Sequence, residues 1–351
     1  MITYIIETLN SGHGLSYPAF LRRTWDPDQT RTEFLFDPSL QDLTFPKAEF
    51  ELRAREAGCG RMFLCTADSY LKKFTLESVI NLKKSMPLSV ILHNYYHLEN
   101  PLRRYLWLRL LRLGYLENIY ILDPYYLKKI SANDPLAPYL KFVHFETGNE
   151  KIDSLSRSDA CHNLQLKEAK CRFSVIGGLS VRKGLPTIVK AIDYLIKTKP
   201  GLFEHCEFAF SGKLDQEPEL MPTLKRLREY HHAGYVRLET NFLGQQHLFN
   251  WISASDYILC AYPKSFMGWS GFLADALLLK RPVLISDHSF FKDFMHSTGY
   301  DLVHRVESHK DLANSIIRAY EARRTPEYDR WVDLGTKFIT DYASQIPDRP
   351  F

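Results

Sequence analysis

Phe173-Ser174-Val175-Ile176-Gly177-Gly178-Leu179-Ser180-Val181-Arg182-Lys183-Gly184-Leu185-Pro186 is the stretch that decides the fold. An apolar run of strand length breaks at two glycines. Beyond Gly184, apolar side chains fall at Leu185, Ile188, Val189, Ile192 and Ile196, the i, i+3, i+4, i+7, i+11 series of one helical face. Pro186 lies in the first turn, where its missing N–H costs no hydrogen bond. A strand therefore runs through a glycine turn into a helix with a fixed start. Such a start offers unpaired N–H groups and a partial positive charge, and Arg182 and Lys183 add full charges at its mouth. A phosphate is the group that suits this arrangement. The plain alternative is a strand-to-helix turn with two solvated basic residues.

Outward from this stretch the pattern repeats. Strands are expected at 172–176, 207–211, 235–238, 256–261 and 282–286, with helices at 185–197, 219–230, 245–253 and 271–280. In the first half, strand-length runs rich in β-branched and aromatic residues occur at 2–6, 33–36, 62–65, 89–92, 119–122 and 142–145. Strands alternating with helices predict an α/β chain of mostly parallel sheets, the same architecture used twice. At 351 residues, two cores are the better expectation than one. The assignment is a first domain over 1–150, a polar linker over 151–170, a second domain over 171–325 and a terminal helix over 326–351. Helical spacing at Trp331, Leu334, Phe338 and Ile339 supports that last helix, which could pack on either domain, including back on the first.

Composition excludes several classes. Hydrophobic residues make up 45% and charged residues 25%, a globular balance, and the net charge of +4 is too small to argue for nucleic acid. The six cysteines have no CxxC spacing and read as free thiols of a reducing cytoplasm. The N-terminus lacks the basic and apolar regions of a signal peptide, and no window reaches the roughly 18 apolar residues of a membrane span. Leu102 to Leu113 carries Arg103, Arg104, Arg109 and Arg112 among leucines, Tyr105 and Trp107. It reads as a core-packed helix with one solvated edge, the sharper alternative being peripheral contact with an anionic membrane face.

A second segment carries chemistry. A strand ends near Tyr262-Pro263, followed by Lys264-Ser265-Phe266-Met267-Gly268-Trp269-Ser270-Gly271, a helix containing Asp275, and Arg281-Pro282-Val283-Leu284-Ile285. Gly268 and Gly271 let the backbone approach a ligand closely, and Asp275, about one turn into the helix, could accept hydrogen bonds from a ribose diol. The alternative for Asp275 is an exposed helix acid. In the first half, Asn10-Ser11-Gly12-His13-Gly14 follows the first strand but lacks the third glycine of GxGxxG, which removes the main support for hydride transfer. His13 is a candidate acid or base, or a turn histidine without chemistry. His93 and His97 follow a strand, but a metal reading needs a third ligand and the HExxH glutamate, and neither is seen. Asp26-Pro27-Asp28 reads as a turn.

Both segments, in their order and separation, resemble the C-terminal domain of GT-B glycosyltransferases of the retaining, family 4-like type. There the first segment reads Gly-Arg-Leu-x-x-x-Lys-Gly. Here Lys183 is kept and Gly178 stands in the Arg position. The second motif, Glu-x7-Glu, is replaced by Met267 and Asp275. Ala209-Phe210-Ser211-Gly212 is similar to the family's strand ending in glycine. The resemblance covers residues 172–320 and implies two Rossmann-like domains facing a central cleft. It further implies a nucleotide diphosphate sugar as donor substrate, no metal and no separate cofactor. Gly12, Gly14, Gly178, Arg182, Lys183, Gly212, Met267, Gly268, Ser270, Gly271 and Asp275 would bind the donor, and His13 and His93 would stand near the reacting sugar. The implied activity is retaining transfer to a hydroxyl of a glycan or lipid-linked acceptor. Two alternatives stay open: inverting transfer with His13 as base, and a non-catalytic binding or scaffold protein of the same fold.

Overall fold

Residues 2–7, 21, 32–36, 47–65, 67, 86–93, 96–122, 124–143, 155–167, 170–215, 217–266 and 270–344 are described by a computed structural model of the chain. The described residues fall into two units, the first ending at Val143 and the second running from 155 to 344.

The first unit contains β1 (Thr3–Glu7), β2 (Thr32–Phe36), α1 (Lys47–Glu56), β3 (Arg61–Leu64), β4 (Leu88–Leu92), α2 (Tyr96–Glu99), α3 (Pro101–Arg112), β5 (Ile119–Ile121), α4 (Pro124–Lys129) and β6 (Leu140–Phe142). Its strands form one parallel sheet in the order β2-β1-β3-β4-β5-β6. Every residue of β4 is buried, as expected of a central strand with helices on both faces. The helix α3 begins where Asn100 accepts the Arg103 N–H at 3.1 Å and Pro101 fills the first position. It buries Trp107, Leu110 and Leu111.

The second unit contains α5 (Arg157–Asn163), β7 (Cys171–Ile176), α6 (Leu185–Thr198), α7 (Leu202–His205), β8 (Cys206–Ser211), α8 (Met221–His232), β9 (Val236–Glu239), α9 (Gln245–Ala254), β10 (Tyr257–Cys260), α10 (Gly271–Leu278), β11 (Val283–Asp287), α11 (Ser289–Thr298), β12 (Val303–Arg305), α12 (His309–Ala322) and α13 (Pro326–Ala343). Its parallel sheet runs β12-β11-β10-β7-β8-β9. Counted within the unit, that is the 3-2-1-4-5-6 order of doubly wound dinucleotide-binding folds, and the winding reverses between β7 and β10. Ligands of such sheets bind outside the carboxyl ends of the strands at that reversal. The helix α6 buries Leu185, Ile188, Val189, Ile192 and Leu195 and packs on α12, while Ile196 is half-buried.

One stretch differs from its sequence reading. Part of the stretch read as a linker is folded: Ser156 caps α5 by accepting the Asp159 N–H at 3.1 Å, and α5 packs on α9. Its polar residues are a helix start, not a spacer. The terminal helix α13 spends its apolar face, Trp331, Phe338 and Ile339, within the second unit against α10, α11 and α12.

At the amino edge of the second sheet, the buried Asp256 carboxylate accepts from Arg157 at 2.9 Å, Arg323 at 3.0 Å and the Arg172 backbone N–H at 2.7 Å. The enclosed Arg172 guanidinium donates to Glu207, Ala254 O and Lys167 O. Buried charge is tolerated when paired in this way, so the cluster serves to lock α5 and the end of α12 to the strands. All six cysteines are buried. No helix among the described residues is long and apolar enough to cross a membrane.

Candidate functional site

At the carboxyl edge, on either side of the reversal, the chain leaving β7, β8 and β10 converges. The Gly177 N–H donates to Ser211 O at 2.9 Å, and Leu179 N–H to Lys213 O at 2.8 Å. Gly212 has φ +140°, and a Cβ there would stand 1.8 Å from Gly177 O. Gly184 closes a 3₁₀ turn over Val181–Lys183 with φ +72°, and a Cβ on it would meet Ala261 O at 1.8 Å. Both positions need glycine twice over, for the left-handed backbone and for the close approach. The contact at Gly184 sets the turn carrying Lys183 directly against the chain leaving β10.

There the Lys183 ammonium donates to Tyr262 Oη at 2.8 Å and lies 5.0 Å from the Tyr262 ring centroid and 4.8 Å from that of Phe272. These are cation–π distances. Burial lowers the Lys183 pKa to about 8; Arg182 pushes the same way, while Cys260 and Asp275 oppose it. Tyr262 is fully buried, and burial raises its phenol well above the ordinary value, so it stays neutral. Burial likewise raises the Cys260 thiol to about 11. Arg182 is exposed, its guanidinium 5.5 Å from the Phe266 ring.

The hydroxyls of Tyr262 and Ser270 are 2.6 Å apart, and Ser270 Oγ caps α10 by accepting the Leu273 N–H at 3.3 Å. The first N–H groups of α10, beginning at Gly271, thus lie beside Lys183, the combination that attracts an anion. Asp275 is 4% exposed, which removes the exposed-acid reading, and its charge reaches Lys183.

Gly178, Arg182, Lys183, Gly212, Ser270, Gly271 and Asp275 therefore gather at one edge of one sheet. Gly178 is exposed, and a Cβ there would meet nothing within 4 Å among the described residues. His93 is half-buried at the carboxyl end of β4 in the first unit. Gly12, His13, Gly14, Met267 and Gly268 lie outside the described residues. Tyr262 and Phe272 are site residues that the sequence did not reveal. Tyr262 marked only a strand end, and no spacing rule ties it to a lysine 79 residues earlier.

No family model matches the chain, and no curated protein matches it in sequence. Solved structures do match in shape. Sucrose-phosphate synthase from Thermosynechococcus elongatus aligns with a TM-score of 0.69 at 12% identity, over 97% of this chain and 95% of that one. Anabaena HepE in complex with UDP aligns with a TM-score of 0.66 at 14% identity, over 99% and 96%. An α,α-trehalose-phosphate synthase (UDP-forming) from Burkholderia xenovorans, in complex with glucose-6-phosphate, aligns with a TM-score of 0.63 at 9% identity, over 97% and 98%. At these identities the likeness establishes the fold, which is GT-B, as the sequence resemblance implied.

Proposed function

We propose that the chain transfers a sugar from a nucleoside diphosphate sugar to a hydroxyl acceptor. The observation that carries this reading is the Lys183 ammonium, held 2.8 Å from Tyr262 Oη beside the capped start of α10, with buried Asp275 one turn further on. Lys183 and the α10 N–H groups stabilise the diphosphate as negative charge grows on it during departure. Asp275 accepts from the ribose hydroxyls, with the shorter reach of Asp in place of Glu. In this reading the fixed charges supply the stabilisation, no divalent ion is required, and activity withstands EDTA. Similarity to structures named as a UDP-forming synthase and a UDP complex makes UDP sugars the first donors to try. The resemblance to retaining enzymes favours retention, and product stereochemistry by NMR separates it from inversion with His13 as base.

Glycine at the family's Arg position, Gly178, and the loss of a carboxylate at Met267 favour a second reading, donor binding without turnover. One experiment separates the two: donor hydrolysis and transfer across a panel of nucleotide sugars and glycan or lipid-linked acceptors. Turnover that Lys183→Ala abolishes supports the enzyme. Binding without turnover, with every acceptor supplied, supports the binding protein.

On the acceptor side, the helix α3 presents Leu102 (69% exposed), Tyr105 (58%), Arg109, Arg112 and Leu113 as one exposed stripe. The helix carries no acidic residue. Apolar and aromatic side chains interleaved with arginines suit an anionic lipid surface, where each arginine contributes about 1 kcal/mol. A peripheral membrane contact through this stripe fits a lipid-linked acceptor. Vesicles with anionic lipid should retain the protein, neutral vesicles should not, and Arg109→Ala with Arg112→Ala should release it. Equal retention by both vesicle types would sink the idea.

A further inference from the structure

We propose that Tyr262 is a positioning residue: its hydroxyl holds the Lys183 ammonium and ties it to the start of α10, so that two elements which grip a diphosphate act as one. The inference rests on the donor-binding reading of this edge of the sheet. It adds a residue that neither the motif nor the resemblance assigns.

Tyr262 is suited to the task because it is itself fixed on several sides. Its side chain is fully buried, its ring stacks on Phe266 with centroids 4.3 Å apart, and its backbone oxygen accepts the Ser286 hydroxyl at 2.6 Å. Its hydroxyl sits between Lys183 Nζ at 2.8 Å and Ser270 Oγ at 2.6 Å. Ser270 is the cap of α10, and Phe272 of the same helix supplies the second ring over the ammonium. Of the three ammonium N–H groups, one is committed to Tyr262, which leaves two to aim at ligand oxygens. A free lysine has four rotatable bonds to settle; this one is pre-set.

The charged and titratable groups facing Lys183 are Cys260 from the end of β10, Asp275 from α10, Arg182 from its own turn and the Tyr262 phenol. Burial is the largest influence and favours the uncharged amine, so an acceptor bonded to the charged form matters for keeping the ammonium.

Tyr262→Phe removes the hydroxyl and keeps the ring and its stacking. The first measurement is the titration of the Lys183 side chain by NMR in the ligand-free full-length protein, where the wild type should titrate near 8. Tyr262→Phe should move that titration to lower pH. The second measurement is UDP affinity from pH 7 to 10. The wild type should lose affinity as Lys183 deprotonates, and Tyr262→Phe should begin that loss at lower pH and bind roughly tenfold more weakly at pH 8. Ser270→Ala should weaken UDP binding too, and the double variant should be no weaker than the sum of the singles predicts, since both cut one connected chain. An unchanged Lys183 titration in Tyr262→Phe, or an affinity loss equal at every pH, overturns the inference. If UDP binds neither protein while the titration shifts, the tether stands and the donor-binding reading falls.

Discussion

Gly184→Ala offers the sharpest test of how the site is built. The native residue has φ +72° and ψ 21°. An alanine in that left-handed region costs about 1–2 kcal/mol from its own backbone. Its Cβ would then stand 1.8 Å from Ala261 O, about 1.6 Å short of ordinary contact. The atom it meets is backbone at the end of β10, so no side chain can swing away, and the turn itself must lift. A lift of that size takes Lys183 Nζ from 2.8 Å to beyond hydrogen-bond reach of Tyr262. Clash and backbone strain together should cost about 3 kcal/mol or more. For a unit of this size that is a fall of roughly 6–12 °C in melting temperature. Gly178→Ala is the control: its backbone is not left-handed and its Cβ would meet nothing within 4 Å among the described residues, so it should stay within about 1 kcal/mol of wild type. Thermal unfolding followed by circular dichroism, with UDP titration of the folded proteins, gives both quantities. A Gly184→Ala protein that melts within 2 °C of Gly178→Ala (on the order of the 1 kcal/mol limit) and binds UDP equally would refute the reasoning.

Three further outcomes follow from particular residues. Gly178→Arg adds a guanidinium in the same strand-to-helix turn as Lys183 and should tighten UDP binding about tenfold by one charge-assisted contact, measured by calorimetry. Asp256→Ala strands three donors at the amino edge of the second sheet and should lower stability by about 3 kcal/mol in urea unfolding, with the slope unchanged. Burial lowers His288 and His304 to about 4; Asp287 opposes the shift at both, Asp311 and the Arg305 backbone oxygen also oppose it at His304, and His304 deepens it at His288. The unfolded chain then binds more protons between pH 6.5 and 4, so stability is full above pH 6.5 and falls on acidification by up to about 3 kcal/mol per histidine. Replacing His304, whose Nε2 finds no partner among the described residues, with Gln should flatten that fall, as followed by denaturant midpoints at pH 7 and 4.5.

Much of this was legible in the sequence because it is local. The strand, glycine turn and helix from Phe173 to Ile196 follow from side-chain period and from the backbone freedom of Gly177 and Gly184, and the structure has them at Cys171–Ile176 and Leu185–Thr198. The alternation around that stretch determined the α/β class and two parallel sheets. It did not reveal α5, whose polar residues look like a spacer until Ser156 is seen to cap a helix. Nor did it reveal β12, which is three residues long. What only the tertiary structure decided is which distant residues meet. The order in which β7 and β10 sit side by side brings Lys183 to Tyr262 across 79 residues and turns Asp275 inward. Periodicity reports which face of an element is apolar. It carries no information about which other element will cover that face, because that is settled by the packing of the whole sheet at once.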